Sequence, residues 1–351
     1  MPHEPYIQKF VERLQKQGLN PCSLPIGIDL KPGGRCIFCP TCENFPCYVL
    51  AKGDADACCV RPALESQSIE IMTQTYARRL LTNSSGRRVV GIEVERGGEI
   101  FEVSGDIFVV ACGAINSAAL FLRSANDKHP NGLANLSGLV GRNLMGHNVS
   151  FFLAFQLERA NDSIFPKTWQ INDFYFKAPD WHYPLGNIQA NGGIPIHVLT
   201  PRVFQGFLKK NVDHRYISCA AISEDLPNPE NRIMLTLNHT IQVNYKPNNI
   251  VTHQRLHDLV KRILLKAGYP VILSPNLAKN VSVKIPHQCG TMRFGNDPEQ
   301  SVLDPFCRTH DIQNLYCVDG SFFPSSGALN PTLTIIAQAL RVGEYLLTKH
   351  S

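Results

Sequence analysis

The residues best suited to chemistry lie in two short segments near the end of the chain. The first, IPHQCGTMRFG, contains His287 followed by small residues. The second, CVDGSFFPSSGALNPTLT, predicts a buried strand that ends at Asp319-Gly320 and a helix that begins at Asn330-Pro331. A lone histidine is more often structural than catalytic. Its occurrence with a strand-end Asp-Gly and an Asn-Pro helix start in one short span favours a functional site.

The predicted last helix has a well-specified start. Asn330 is a good N-cap, and Pro331 suits the first helical position. A helix N-terminus favours a nearby negative charge by roughly 0.3–1 kcal/mol, so its first-turn amides could bind an anionic group at the mouth of a sheet. The alternative is an ordinary capped helix. The buried stripe predicted for this helix consists of Leu333, Ile336, Leu340 and Leu347.

Four cysteines in the segment GRCIFCPTCENFPCYVLAK form a second candidate site. Cys36, Cys39 and Cys42 make two C-x-x-C steps, and Cys47 follows five residues later. This spacing is close to a ferredoxin pattern without matching it. Four thiolates could equally form a tetrahedral zinc site, and a loop of free cysteines is the third interpretation. Twelve cysteines without a secretory signal favour reduced thiols or a metal over disulfides.

The elements that would position these residues follow an α/β pattern at both ends of the chain. The first eighteen residues predict an amphipathic helix whose apolar face contains Ile7, Phe10, Val11 and Leu14. Three predicted strands follow in SIEIMTQT, RRVVGIEVER and EIFEVSGDIFVVACG. The last of them leads into a predicted helix, AINSAALFLRSA. In such α/β units, ligands collect beyond the carboxyl ends of the strands.

The middle of the chain has a different sequence pattern. It predicts short strands, loops rich in aromatic residues and proline, and one helix with an apolar face near residues 256–264. We therefore predict one α/β domain formed by residues 1–150 and 285–351, interrupted by a second domain at 151–284. A G-x-G-x-x-G turn, which usually opens a dinucleotide-binding domain, does not occur in the sequence. The aromatic residues of the middle domain either line a pocket or belong to its core, and they are Trp169, Phe174, Tyr175, Phe176, Trp181 and Tyr183.

Composition excludes several classes of function. The net charge of +5 comes from scattered residues, which argues against nucleic-acid binding. No apolar run reaches membrane-spanning length, so we expect no membrane span. The first residues lack the basic start and apolar core of a signal peptide, so we expect a cytoplasmic protein.

The two C-terminal segments together resemble the C-terminal signature of the glucose–methanol–choline (GMC) flavin oxidoreductases, His-x-x-Gly-Thr-x-Arg-Met-Gly, Asp-Gly-Ser and Asn-Pro-x-x-Thr. The segments FVVACGAINSAALFLRSA and GLANLSGLVGRNLMGHN are similar to the middle signature of the family, and EDLPNPENRIML is similar to a strand of its substrate domain. Phe294 stands where the family usually has Met, and Gly146 where an acid is common.

The resemblance implies a mixed α/β fold in which an FAD-binding domain is interrupted by a substrate-binding domain with an antiparallel sheet. The family's N-terminal third, which carries the glycine turn, has no counterpart here, so we expect an FAD-binding domain without its first βαβ unit. The implied activity is an FAD-dependent alcohol or sugar dehydrogenase, similar to choline dehydrogenases, that oxidises CH–OH groups.

The resemblance also implies residue roles. His287 would take the alcohol proton while the adjacent C–H leaves as hydride to flavin N5, and Asn330 would hydrogen-bond the substrate oxygen. The implied cofactor-binding residues are Asp319 and Gly320 at the ribityl–pyrophosphate arm, Gly113 and Ala114 at the adenosine, and Pro331, Thr332 and Leu333 at the N1/O2 edge of the flavin.

Some GMC dehydrogenases that pass electrons to a partner protein carry a small iron–sulfur cluster in a Cys-rich loop, which implies such a cluster and an electron-acceptor protein here. Three alternatives stay open. The chain could be a truncated non-catalytic remnant, or one chain of a split enzyme whose N-terminal third is a separate protein. A metal-binding module built on the cysteines alone is the third, and it leaves His287 and Asn330 unexplained.

Overall fold

The computed structural model describes residues 2–39, 42, 45–156, 160–178, 180–192, 215–274 and 285–350. These residues form five α-helices, namely α1 (Pro5–Gln15), α2 (Arg61–Glu65), α3 (Ala114–Arg123), α4 (Ile250–Lys266) and α5 (Thr332–His350). They also form thirteen strands, namely β1 (Pro21–Ser23), β2 (Thr75–Thr82), β3 (Val89–Arg96), β4 (Glu99–Ser104), β5 (Phe108–Val110), β6 (His147–Phe155), β7 (Trp169–Ile171), β8 (Asn187–Ala190), β9 (Tyr216–Glu224), β10 (Arg232–Leu235), β11 (Ile241–Asn244), β12 (Val271–Leu273) and β13 (Leu315–Cys317). The mixed α/β fold that the sequence predicts is confirmed. Among the described residues, none of the helices combines the length and apolarity that a membrane crossing needs.

The chain divides into two compact units. The first contains residues 1–71, 149–223 and 250–282, and the second contains 72–148, 224–249 and 283–351. These boundaries differ from the predicted domains, because the first 71 residues group with the middle of the chain. Residues 193–214 and 275–284 of the predicted substrate-binding domain lie outside the described residues. The assignment of one domain to FAD and the other to substrate stays a prediction.

The first unit is built on a six-stranded sheet with the order β1-β7-β8-β9-β6-β12. The pairs β1–β7, β7–β8, β8–β9 and β6–β12 are antiparallel. Helices α1 and α4 share the core of this unit, and the apolar face predicted for α1 is buried. Trp169 and Phe174 belong to this core, whereas Phe176 and Tyr183 are exposed.

A polar bridge lies inside this apolar unit. The ring of His253, on α4, contacts the hydroxyl of Ser150 through Nε2 and the hydroxyl of Ser223 through Nδ1, both at 2.8 Å. All three side chains are buried. Burial, with a smaller contribution from His257, lowers the pKa of His253 from 6.5 to about 4. The two serine hydroxyls can satisfy a neutral imidazole, because each can donate or accept.

This bridge predicts a pH-dependent stability. Between pH 6.5 and about 4 the unfolded chain protonates His253 while the folded chain keeps it neutral, so the free energy of unfolding falls as the pH drops. The full loss is on the order of 3 kcal/mol. We expect His253→Gln to remove this contribution, measured as the difference in denaturant unfolding between the variant and the wild type across that pH range. His182→Gln, at an exposed position of the same unit, is the control. Equal pH slopes for wild type and His253→Gln would contradict the prediction.

The second unit contains an antiparallel three-stranded sheet, β2-β3-β4, the hairpin β10–β11 and the parallel pair β5–β13. The strand predicted in SIEIMTQT is wrong, because residues 68–74 form no strand and β2 begins at Thr75. Thr75 pairs with Arg96, the last residue of β3, so this ladder does not extend to residues 68–74. Arg78 and Arg79 on β2 form ion pairs with Glu93 and Glu95 on β3, and opposite charges across a ladder stabilise the register.

Helix α5 buries a different face from the predicted one. Leu333, Leu340 and Leu347 are 72%, 65% and 73% exposed, and Ile336 is half-buried. The face that packs on the core of this unit contains Ile335, Val342, Tyr345 and Leu346. The sequence of α5 carries apolar residues with a seven-residue spacing on two faces, so periodicity alone did not distinguish them.

Candidate functional site

The candidate site of the second unit starts at two parallel strands. β5 and β13 pair in parallel, with Val110 opposite Cys317, so their carboxyl ends lie at the same edge. The chain passes from β5 through Gly113 into α3, as predicted, and from β13 through Asp319 into a short 3-10 turn, Gly320–Phe322. The two strand ends that the sequence singled out are therefore neighbours.

The buried carboxylate of Asp319 joins these two strand ends. One oxygen, Oδ2, accepts from the backbone N–H of Gly113 at 3.0 Å and from the hydroxyl of Ser117. The other, Oδ1, accepts from the backbone N–H of Ser321 at 2.8 Å and from its hydroxyl at 2.5 Å. Because internal donors use both oxygens, the direct effect of Asp319 is to hold the start of α3 against the turn after β13.

Two glycines at this edge are required for different reasons. Gly113 has a φ of +82°, which favours glycine, and a Cβ there would have no atom within 4 Å. A Cβ on Gly320 would lie 2.7 Å from the carbonyl oxygen of Gln288. The close approach at Gly320 is therefore to the segment that carries His287, and Gly290 N–H donates to the carbonyl of Gly320 at 3.0 Å. The two C-terminal segments are tied together through their backbones.

Asp319→Asn is expected to destabilise the protein by roughly 1–3 kcal/mol. An asparagine has one acceptor oxygen, so its NH2 group would face either the N–H of Gly113 or that of Ser321, and one buried donor would lose its partner. Denaturant unfolding measures the loss. Asp297→Asn is the matched control, since this exposed aspartate also accepts from a backbone N–H and a side chain. Equal, small effects of both substitutions would contradict the prediction.

His287 lies in a tight loop that packs on the segment before β6. Its φ is +58°, an uncommon conformation for a residue with a side chain. Gly146 makes this packing possible, because a Cβ there would lie 2.6 Å from Cγ2 of Ile285 and 3.0 Å from the carbonyl oxygen of Pro286. The neighbouring N–H of His147 donates to that same carbonyl at 3.1 Å. The acid common in the family at Gly146 would need this loop to move.

The side chains of His147 and Asn330 both contact the ring of His287. Its Nδ1 lies 2.8 Å from Nδ1 of His147, and its Nε2 lies 3.4 Å from Nδ2 of Asn330. Nε2 of His147 lies 3.0 Å from the backbone carbonyl oxygen of Ser326. These contacts form a row from Ser326 through His147 and His287 to Asn330. His147 is buried, His287 is half-buried and Asn330 is exposed, so the row runs from the interior to the surface. Burial lowers the pKa of His147, although the hydrogen bond to Ser326 opposes the shift.

Asp225 anchors both sides of this row. The Ser326 hydroxyl accepts from the N–H of Asp225 at 3.1 Å and donates to its carbonyl at 2.9 Å. The Asp225 carboxylate accepts from the N–H of Gly146 at 3.2 Å and from the Tyr245 hydroxyl at 2.8 Å. Burial raises the pKa of Asp225, with these hydrogen bonds acting in the opposite direction. His147, Ser326 and Asp225 were not predicted from the sequence. The one local signal was the Gly-His-Asn before a strand.

The start of α5 completes the site. The helix begins at Thr332, one residue after the predicted first helical position, Pro331. Pro331 is buried, whereas Thr332 and Leu333 are exposed. The first N–H groups of a helix have no partner within it, so the amides of these exposed residues are suited to an anionic group.

The four clustered cysteines belong to the other unit and line one pocket, together with Phe38, Lys52 and Phe165 among others. Lys52 Nζ donates to the carbonyls of Cys42 and Phe45 at 2.7 and 2.6 Å. Burial raises the pKa of Cys42, whereas the Ala51 N–H lowers that of Cys47. Within the described ranges, no three or more Cys, His, Asp or Glu residues are arranged to hold a metal ion. The pocket thus gathers the predicted ligands without forming a coordination site.

Comparisons with known proteins agree on one family. Two models of the GMC oxidoreductase family match residues 4–149 and 246–339. The 6'''-hydroxyparomomycin C oxidase of Streptomyces lividus is 31% identical over 92% of this chain and 60% of its own length. Paromamine 6'-oxidase of Streptomyces fradiae is 30% identical over 95% of this chain and 64% of its own length. The fructose dehydrogenase large subunit of Gluconobacter japonicus is 25% identical over 99% of this chain and 66% of its own length.

The chain thus spans between 60% and 66% of the length of these relatives. Among solved structures, pyridoxine 4-oxidase from Mesorbium loti superposes with a TM-score of 0.62 at 16% identity, over 98% of this chain and 70% of that one. This likeness concerns the fold alone.

Proposed function

Because the chain belongs to the GMC oxidoreductase family, we propose that it is an FAD-dependent oxidoreductase that acts on the CH–OH group of an alcohol or sugar. The observation that carries this proposal is the meeting of His287 and Asn330, with His287 Nε2 and Asn330 Nδ2 3.4 Å apart. An imidazole and an amide at that distance can both contact one hydroxyl group. Asn330 is exposed, so a substrate could reach both side chains.

The proposed reaction removes a proton and a hydride from the substrate. His287 takes the hydroxyl proton at Nε2 as general base, and Asn330 hydrogen-bonds the substrate oxygen while it becomes a carbonyl. FAD, when bound, supplies the acceptor for the hydride that leaves the carbon. Thr332 and Leu333, which follow the buried Pro331, are exposed, and their backbone amides would stabilise negative charge at the cofactor edge.

The residues at the β5–β13 edge fit a flavin nucleotide. The open space beside Gly113 leaves room for a ligand at the start of α3, and we propose that Gly113 and Ala114 lie near the adenosine. Asp319 and Gly320 are buried. We therefore propose that they act toward the ribityl–pyrophosphate arm by fixing this edge, since internal donors already occupy the Asp319 carboxylate.

Flavin reduction tests this proposal. The full chain, mixed with FAD and freed of unbound cofactor, should lose its visible flavin absorbance when alcohols or sugars are added without oxygen. His287→Ala should slow that reduction by roughly 100- to 10,000-fold, the usual contribution of a general base, and Asn330→Ala should slow it less.

The matched control is His310→Ala. His310 is a half-buried histidine of the same unit that contacts Ser301, and the flavin of this variant should be reduced at the wild-type rate. Reduction that survives His287→Ala would refute the assigned base. A chain that retains no FAD would contradict the proposal for this chain and favour a remnant or a split enzyme.

The fructose dehydrogenase of Gluconobacter japonicus is named as a large subunit, which supports a partner subunit, and we propose that the partner of this chain is an electron-acceptor protein. We propose an iron–sulfur cluster at the cysteine pocket as a second cofactor, on the observation that Cys36, Cys39, Cys42 and Cys47 line it together. The described residues are not arranged as metal ligands, and the proposed oxidation of the substrate at His287 does not depend on this cluster.

Metal analysis tests the cluster. After anaerobic reconstitution, iron and acid-labile sulfide should stay with the protein through gel filtration, and Cys39→Ser and Cys42→Ser should lose both. Cys22→Ser, at an exposed cysteine outside the pocket, should keep them. If the protein contains zinc and no sulfide, the pocket is a zinc site and not a cluster site. If it contains neither iron nor zinc, the four cysteines are free thiols and the proposed cluster is refuted.

A further inference from the structure

We propose that His147 is a positioning residue that fixes the tautomer of His287, so that the His287 proton lies on Nδ1 and Nε2 is the basic nitrogen. This inference rests on the proposed function, because it assigns His287 Nε2 as the atom that receives the substrate proton. It follows from the hydrogen bonds along the row from Ser326 to Asn330.

The inner end of the row sets its direction. The partner of His147 Nε2 is the carbonyl oxygen of Ser326, at 3.0 Å. A carbonyl oxygen can only accept, so His147 Nε2 carries a proton and donates it. The Ser326 side chain is itself held in place, because its hydroxyl is bonded to both the N–H and the carbonyl of Asp225.

The protonation of His147 fixes the next bond. His147 is buried, and burial lowers its pKa, so the ring is neutral near neutral pH. A neutral imidazole has one protonated nitrogen, and in His147 that nitrogen is Nε2. Its Nδ1 is therefore an acceptor, and the 2.8 Å contact with Nδ1 of His287 requires a proton from His287.

The outer end agrees with this direction. A neutral His287 with its proton on Nδ1 has a lone pair on Nε2. The Nδ2 group of Asn330 lies 3.4 Å from that atom, and an amide NH2 group is a donor. Which imidazole nitrogen is protonated depends on the hydrogen bond that the other one makes, so His147 selects the nitrogen that His287 presents at the surface.

His147 also holds the His287 loop through its backbone. Its N–H donates to the carbonyl of Pro286 at 3.1 Å, and β6 begins at His147 itself. The centroids of the two imidazole rings lie 4.8 Å apart, and the ring planes make an angle of 68°. A substitution of the side chain leaves the backbone bond in place, so the side-chain effect can be separated from the loop position.

Nitrogen NMR of the full chain, labelled at its histidines, reads the tautomers directly without substrate or flavin. In the wild type, His287 should show a protonated Nδ1 and a bare Nε2, and His147 should show the opposite pattern. In His147→Leu the acceptor is lost, and His287 should move toward the form protonated at Nε2. In His147→Asn an amide oxygen replaces Nδ1 as acceptor, and His287 should keep its wild-type pattern.

The matched control is His129→Leu. His129 is also buried in this unit and also bonds a backbone carbonyl, that of Gly86 at 2.8 Å, so its loss should leave the His287 signals unchanged. In flavin reduction, His147→Leu should lower the rate about 10- to 100-fold, the range known for partners that orient metal-bound imidazoles. His147→Asn should recover most of that loss.

A wild-type spectrum in which His287 carries its proton on Nε2 would overturn the proposal, even if His147→Leu failed to fold. An unchanged His287 pattern in a folded His147→Leu would also overturn it. The spectra do not depend on catalysis. The predicted tautomers in a chain that oxidises no alcohol would refute the proposed function alone, and the wrong tautomers in an active chain would refute the role of His147 alone.

Discussion

Both oxygens of the buried Asp319 carboxylate accept hydrogen bonds, one from the start of α3 and one from the turn that follows β13. The parallel pair β5–β13 has only three residues in each strand, so its ladder alone fixes the two strand ends weakly. The carboxylate supplies the missing constraint. Gly320 then lies against the carbonyl of Gln288, and this contact places the His287 loop. A buried charge at this point is tolerable because four donors replace its hydration.

The row from Ser326 to Asn330 also depends on buried hydrogen bonds that are satisfied within the protein. A buried polar network is stable only when each donor meets an acceptor, and this requirement gives the row from Ser326 to Asn330 a single direction. The interior end, a backbone carbonyl, is fixed by the fold. At the exposed end, the imidazole of His287 lies beside the amide of Asn330. Asp225 stabilises both flanks, since it bonds Ser326 and the N–H of Gly146. The positive φ of His287 is consistent with a loop whose conformation is imposed by its surroundings.

Several large apolar side chains of the second unit are exposed to solvent. Leu333, Leu340 and Leu347 of α5 are mostly exposed, as is half of Val109 on β5. The opposite face of α5 packs on the core that also contains Leu315 and Tyr316 of β13. The first unit differs, because α1 and α4 bury their apolar faces in one core with the six-stranded sheet. Buried polar side chains also occur in this unit, among them the bridge Ser150–His253–Ser223.

The sequence by itself determined the family, the mixed α/β fold, the faces of α1 and the start of α5, because these depend on residues that are close together in the chain. It also identified His287, Asn330 and Asp319 as candidates from their local settings. Only the tertiary structure decided what these residues contact. His147 and His287 are 140 positions apart, and the buried face of α5 depends on neighbours that its own periodicity does not specify. Local patterns encode elements and caps, whereas hydrogen-bond partners across such separations are fixed only when the chain has folded.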